Sequence, residues 1–247
     1  MIIALLADVH ANLEALEACL DHAREHGAEQ YAFLGDLVGY NADPAAVVDR
    51  VSQFAAAGAI VVQGNHDAAV SGASCEQMNE SAAAVIRWTR QQLSSAQKSF
   101  LAGLPISKRE GPAYFVHASA DRSEPWAYVF DGLRAAASMS AAQAPYVFCG
   151  HIHEPVLYFL GADRRPQPFI PEPGVPIPVA GHRNWLAIVG SCGQPRGGNP
   201  AASYALFDRD RELLTYYRLP YDVDAAARKL RLAGLPEHLA RRLETGE

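Results

Sequence analysis

The chain has 247 residues, of which 49 % are hydrophobic and 19 % charged, and its formal net charge is −6. That length gives one large domain or two small ones an ample core. The acidic balance, with no run of Lys and Arg, argues against a nucleic acid partner. The first apolar run, residues 2–7, is too short for a membrane span or a signal core.

Read in order, the first two thirds alternate between strand-like and helix-like stretches. Residues 2–7 form an unbroken apolar run, as expected of a strand covered on both faces. From Asn12 to His26 the period becomes helical, with Leu13, Leu16, Leu20 and Ala23 on one face and Gly27 as the stop. Tyr31 to Leu34 reads as a strand. Asp43-Pro44 then offers an N-cap and a Pro at the first helical position, ahead of a Val47, Val51, Phe54 stripe. Residues 59–62, 113–116 and 146–149 read as further strands, and 79–103 and 131–142 as helices.

The last third differs. Residues 163–182 are rich in Pro and Gly and predict a surface loop or irregular hairpin. Trp185 to Val189, Ser203 to Phe207 and Leu213 to Tyr217 read as antiparallel strands, the last pair joined around Asp208-Arg209-Asp210. Asp222 to Leu232 predicts a closing helix that Gly234-Leu235-Pro236 ends. Arg241-Arg242 reads as a solvated helix face. With no repeat or linker, the expectation is a single domain over 1–247 with two sheets and outer helices.

Cys19, Cys75, Cys149 and Cys192 are scattered without a C-x-x-C pair, which predicts reduced thiols in a cytoplasmic protein. Cys149 and Cys192 lie near polar motifs, but a small apolar filler is the simpler reading.

Those motifs carry the chemistry. Asp8-Val9-His10 follows the first strand, Gly35-Asp36 the second, Gly64-Asn65-His66-Asp67 the third, His117 the fourth and Gly150-His151-Ile152-His153 the fifth. Five of the nine histidines fall in this set, and most members are ligands for hard or borderline divalent cations. In open α/β sheets ligands collect beyond the carboxyl ends of strands, so the motifs should converge at one edge. In extended chain, side chains two apart point the same way, which would let Asp8 and His10 share one metal, and likewise His151 and His153. Any one motif alone would read as a turn or a core histidine. His22 and His26 lie opposite the apolar stripe of their helix and read as solvated, and His182 has no assigned role.

With all five blocks in order over residues 8–153, the chain closely resembles the calcineurin-like metallophosphoesterase superfamily, and the stretch Gly190 to Arg196 resembles that of its small single-domain bacterial members. The resemblance implies an α/β fold, a four-layer α-β-β-α sandwich of two mixed sheets flanked by helices. It implies two divalent metal ions, with Mn²⁺, Fe, Zn²⁺, Ni²⁺ and Co²⁺ all suited to mixed N/O ligands. Asp8, His10 and His153 would hold one, Asn65, His117 and His151 the other, and Asp36 would bridge them. The implied reaction is attack of a metal-bridged hydroxide on phosphorus, with His66 as a non-ligand acid toward the leaving group.

The expected substrate is a small, nucleotide-like phosphoester, with Asn65, and either Arg196 and Gln194 or a plain loop in their place, against the phosphate. Trp126 could stack a base or pack in the core. Gly39 and Tyr40 stand where the protein phosphatases and symmetrical dinucleoside tetraphosphatases keep Asp and Arg, and the block beginning at Gly64 ends in Asp67 rather than Glu. Protein phosphatase and dinucleoside polyphosphate hydrolase activities therefore rank lower. The alternatives are a nuclease and a catalytically silent metal-binding scaffold.

Overall fold

The computed structural model describes residues 1–74, 80–121, 126–161 and 166–247. Among the described residues, twelve strands form two six-stranded sheets. In the first, β1 (Ile2–Leu6) lies parallel to β2 (Gln30–Phe33), and β2 is parallel to β3 (Ile60–Val61). On its other side β1 meets β11 (Ala202–Asp208), which pairs antiparallel with β12 (Leu213–Leu219), and β9 (Ile177–Pro178) closes that edge. The second sheet runs β4 (Ser107–Glu110), β5 (Ala113–Val116), β6 (Tyr146–Cys149), β10 (Trp185–Ile188), β7 (Val156–Leu160) and β8 (Pro166–Phe169). Its β5, β6 and β10 are parallel to one another.

The strands read as apolar runs because both faces are covered. From β1 onward, Ile3, Leu5 and Ala7 meet Phe115, Phe148 and Ala187 between the sheets. The alternate residues Ala4 and Leu6 pack outward against α1 (Leu13–Glu25) and α2 (Pro44–Ala56), through Leu16, Leu20, Val47 and Val51. On the far side, Val147, Leu186 and Ile188 pack on Ala135 and Met139 of α6 (Gly132–Ala142). The result is the four-layer α-β-β-α sandwich expected from the motifs.

Several expectations change. The helical stretch 79–103 is two helices, α4 (Glu80–Gln92) and α5 (Ser95–Ala102), because Ser94 and Gln97 form a capping box that starts a new helix; residue 79 lies outside the described residues. A short helix, α3 (Asn65–Val70), begins on the third motif itself. The strand over 185–189 does not join 203–207 and 213–217; it lies in the other sheet, parallel to β6 and antiparallel to β7. The Pro-rich stretch is partly hairpin, since β8 pairs with β7 and Ile177–Pro178 with β12. β4 and β7 go unassigned from the pattern, β4 because its Ser-Lys-Arg-Glu sequence is that of a charged sheet edge.

The carboxylate of Asp43 heads α2 but bonds no helix N–H; it takes the Lys229 ammonium at 2.7 Å. That lysine sits on α7 (Val223–Leu232). α7 ends before Gly234 as expected, and a further helix follows Pro236. There Pro serves as the N-cap of α8 (Glu237–Thr245), which stacks on α7 through Leu230, Leu239, Ala240 and Leu243. Among the described residues, no helix is long and apolar enough to cross a membrane.

Candidate metal centre

The carboxyl ends of β1, β2 and β3 and of β5, β6 and β10 meet at one edge of the sandwich, because each set of three runs parallel. Backbone bonds then tie the loops beyond them together. Asp8 N–H donates to Gly35 C=O at 3.1 Å, His10 N–H to Asp36 C=O at 2.9 Å, and Gly150 N–H to His117 C=O at 2.9 Å. Asp8, His10, Asp36, His66, His117, His151 and His153 are all buried, and Asn65 is half-buried.

Three groups of potential ligand atoms each fall within 4.8 Å: Asp8, His10 and His153; Asp36, His117 and His151; and His10, Asp36 and His66. Asp36 therefore belongs to two groups that meet through it. Asn65 joins the second, with its Oδ1 at 3.2 Å from His117 Nε2. His66, read from the sequence as a non-ligand, stands near enough to Asp36 and His10 to be in the third group.

Convergence does not come from extended chain. Asp8, His10, Asp36, His151 and His153 all have φ between 48° and 70°, a region costly for residues with a Cβ and typical of functional sites. This overturns the shared-metal reading of His151 and His153. The left-handed turns send His153 to Asp8 and His10, and His151 to Asp36 and His117. Gly64 is demanded at this crossing, since a Cβ there would overlap Asp36 Oδ1.

Whether the residues fit cations can be read from their hydrogen bonds. His10 Nδ1 faces Val38 C=O at 3.1 Å, His153 Nδ1 faces Gln194 C=O at 2.9 Å, and His117 Nδ1 faces Leu34 C=O at 2.8 Å. A carbonyl can only accept, so each Nδ1 carries a proton and each Nε2 is the nitrogen turned into its group. Those nitrogens face other ring nitrogens. His10 Nε2 lies 3.2 Å from His153 Nε2, and His117 Nε2 lies 3.0 Å from His151 Nδ1. Asp8 Oδ1 and His151 Nε2 are buried without a hydrogen-bond partner. Facing ring nitrogens and the unpartnered Asp8 carboxylate oxygen suit a cation in each group, and backbone carbonyls behind metal-binding imidazoles are the usual supporting arrangement.

Electrostatics follow the same division. Burial opposes ionisation of Asp8, but His153, 3.3 Å away, pulls its pKa down to about 2. Burial opposes charge on His117 too, yet the Asp36 carboxylate at 3.2 Å lifts it to about 9. Burial prevails at His151, which falls to about 3, and at His10 and His66, which are also lowered.

Three further polar residues, to which sequence reading gave no role, support the site. Asp67 accepts N–H bonds from Gly64 and Leu37 at 2.9 Å and from Val38 at 3.3 Å, which locks the second motif to the third. Burial and the nearby Asp36 push its pKa up to about 7 against those donors. Asn41 donates to His10 C=O at 2.8 Å and Gly193 C=O at 3.0 Å. Ser191 Oγ donates to Asp8 C=O at 2.9 Å. Asp67 and Ser191 lie in stretches the sequence singles out, Gly64 to Asp67 and Gly190 to Arg196, and Asn41 follows five residues after Asp36.

Aromatic rings cover the groups. The Tyr40 ring lies 4.6 Å from both His10 and His66, and Tyr128 stacks on His151 at 4.0 Å and 16°. Trp126 is edge-on to His117 at 5.9 Å. Gln194 acts through its carbonyl on His153, and its side chain accepts from Arg196 Nη2 at 3.2 Å.

Other polar residues behave differently from expectation. His22 is not simply solvated; its Nδ1 meets Tyr204 OH at 2.6 Å and its ring stacks on His26 at 3.9 Å. Cys149 and Cys192 are buried, belong to no ligand group, and have thiols that burial helps push upward, with Cys192 Sγ 3.7 Å from Cys19 Sγ. Cys75 lies outside the described residues.

The chain is similar to known proteins along its whole length. It is 32 % identical to an uncharacterized protein of Methanocaldococcus jannaschii, over 99 % of this chain and 98 % of that one. A metallophosphoesterase of Sphaerobacter thermophilus has the same fold, with a TM-score of 0.89 and 35 % identity over 100 % of this chain and 99 % of the other. A hypothetical protein of Pyrococcus horikoshii superposes with a TM-score of 0.80 at 19 % identity, over 100 % and 98 % of the two chains. Residues 1–212 match the model of the calcineurin-like phosphoesterase superfamily domain, and the chain belongs to that superfamily.

Proposed function

We propose that the protein is a two-metal phosphoric ester hydrolase acting on a small, nucleotide-like phosphodiester or phosphomonoester. The observation that carries this reading is the pair of facing imidazole contacts, His10 with His153 and His117 with His151, backed by carbonyls and joined through Asp36. Asp8, His10 and His153 would hold one divalent cation, Asn65, His117 and His151 the second, and Asp36 both. Bound there, such a pair supplies an acidified water nucleophile and neutralises charge that develops on the phosphoryl oxygens.

The remaining work falls to the chain itself. His66 is the proton donor to the leaving oxygen. Its Nδ1 is buried without a partner and backed against Gly39, so that Nε2 is the atom left to donate. Burial holds the His66 pKa low while Asp36 raises it, and an anionic phosphoryl group in contact would raise it further. Asn65 would bond a phosphoryl oxygen as well as a cation. Tyr40 and Tyr128 exclude water and orient the ester group.

The whole chain would act as one domain in the cytoplasm, in keeping with buried, unpaired Cys19, Cys149 and Cys192. Hydrolysis of bis-p-nitrophenyl phosphate, assayed with Mn²⁺ and then with Fe²⁺, Zn²⁺, Ni²⁺ and Co²⁺, tests the proposal. Folded, metal-loaded protein that turned over no phosphoester would overturn it in favour of a metal-binding scaffold. Salt-sensitive cutting of single-stranded DNA would redirect it to a nuclease.

A further inference from the structure

We infer that Arg196 and Arg242 form a cationic clamp at the rim of the metal centre that binds a second phosphate of the substrate, beyond the one being cleaved. This deepens the phosphoesterase reading and rests on it. The two arginines are far apart in sequence, and the fold brings them together in a traceable way. Arg196 follows Gln194, whose carbonyl orients His153. Two residues on, Gly198 N–H donates to Gly246 C=O at 3.1 Å, and Gly246 N–H closes α8 on Arg242 C=O at 2.8 Å. The last turn of α8, with Arg242 in it, is thereby pinned to the loop that carries Arg196.

Tyr40 connects this turn to the metal centre. One side of its ring meets His10 and His66. It also packs on the cluster of Leu239, Ala240 and Leu243 from α8. Arg242 itself is held below the ordinary guanidinium range by burial and by the Arg196 charge.

What these arginines lack is an anion. Two other arginines of α7 and α8 have carboxylate partners: Arg231 bonds Glu237 and Glu244, and Arg241 lies 3.9 Å from Glu237. Among the described residues Arg196 and Arg242 pair with no carboxylate, and Arg196 Nε is buried with no partner at all. Two half-buried like charges held together are unfavourable until an anion joins them. Guanidinium groups match phosphate oxygens in charge and in fork geometry.

The scissile phosphoryl belongs on the His and Asp floor. Tyr40 stands between that floor and α8, so the clamp takes a neighbouring phosphate. The substrate class is therefore a compound with linked phosphates, such as a nucleoside polyphosphate or dinucleoside polyphosphate, rather than a diester of two uncharged alcohols.

The test has two arms. In the first, inorganic pyrophosphate is titrated calorimetrically into chelator-stripped protein. Arg196→Gln and Arg242→Gln should each weaken binding about tenfold, as expected for loss of one charge-assisted hydrogen-bonding group, with Arg196→Lys and Arg242→Lys intermediate. Affinities equal to that of the parent protein, with thermal melting showing all forms folded, would overturn the clamp.

In the second arm, Mn²⁺-loaded protein is assayed on diadenosine triphosphate and on bis-p-nitrophenyl phosphate. Arg242→Gln should raise KM for the triphosphate about tenfold with little change in kcat, and shift the single-phosphate diester far less. Equal shifts on both substrates would also overturn it. If the parent protein hydrolyses neither, the proposed function fails, and the pyrophosphate titration alone still decides the clamp.

Discussion

The floor of the site and its rim hold their functional groups in different ways. On the floor, Asp8, His10, Asp36 and His117 are 0–1 % exposed and their backs are fastened to main chain. On the rim, Tyr128 is 50 % exposed, Arg196 and Arg242 are half-buried, and their support comes from a loop and a helix near the end of the chain. The floor is built by two parallel strand triplets that can end only in one place. The rim is built by packing of later elements, so it can change without disturbing the chemistry. A family that keeps one reaction and varies its substrate would be expected to have this division.

The comparison can be broken most severely at the floor. Asp36→Asn is expected to lose at least one cation and to lower kcat by about three orders of magnitude or more, read by metal analysis beside turnover. Chelation should do the same reversibly, and restoring Mn²⁺ to about 100 times its Kd should stabilise the fold by about 2.7 kcal/mol in denaturant titration. His66→Ala should keep both cations yet lose about 10²–10⁴ in kcat, as for a lost general acid. Equal metal loss in His66→Ala and Asp36→Asn would mean that His66 is a ligand, as its place beside His10 and Asp36 allows.

Gly64→Ala puts a Cβ onto Asp36 Oδ1 and should cost about 1–3 kcal/mol by urea denaturation. A neutral result would show that the floor yields more readily than its backbone bonds suggest. At the rim, Tyr128→Ala should raise KM roughly three- to tenfold through loss of ring packing on His151, with kcat nearly constant.

The smallest effect lies farther out. Lys229 is bonded to Asp43 and Glu14, whose attraction outweighs burial and raises its pKa. A raised pKa in the folded state means its stabilisation is complete below the ordinary lysine value and is lost as pH rises through the folded value. Because this lysine is 37 % exposed, Lys229→Met should cost no more than about 1 kcal/mol. That cost should vanish in strongly alkaline urea titrations.

Much of the floor was legible because its residues sit directly after apolar strands, and the run of strand then ligand repeats five times before residue 154. The strand ends near Asp8, Asp36 and Asn65 could be placed from period and turn residues alone. The i, i+2 argument failed at His151 and His153, since a spacing rule for extended chain does not hold where φ is 70°. The break between α4 and α5 was hidden because apolar spacing continues across Ser94, with Leu93 and Leu101 both buried. Arg241-Arg242 read as a helix face, but the start of α8 was not placed, because Pro236 reads equally as the end of one helix and the start of the next.

The sequence by itself determined the residue types of the site, their order, and the strands they follow, because those depend on local chemistry and on hydrophobic period; the four-layer sandwich was implied by the family resemblance. Tertiary structure alone decided how the candidate ligands divide into groups, which carbonyl faces each imidazole, and that the last turn of α8, which carries Arg242, is tied to the loop of Arg196. Those relations join residues as far apart in sequence as His10 and His153. No local pattern encodes them, since they arise only when separate apolar faces pack and bring their polar edges along.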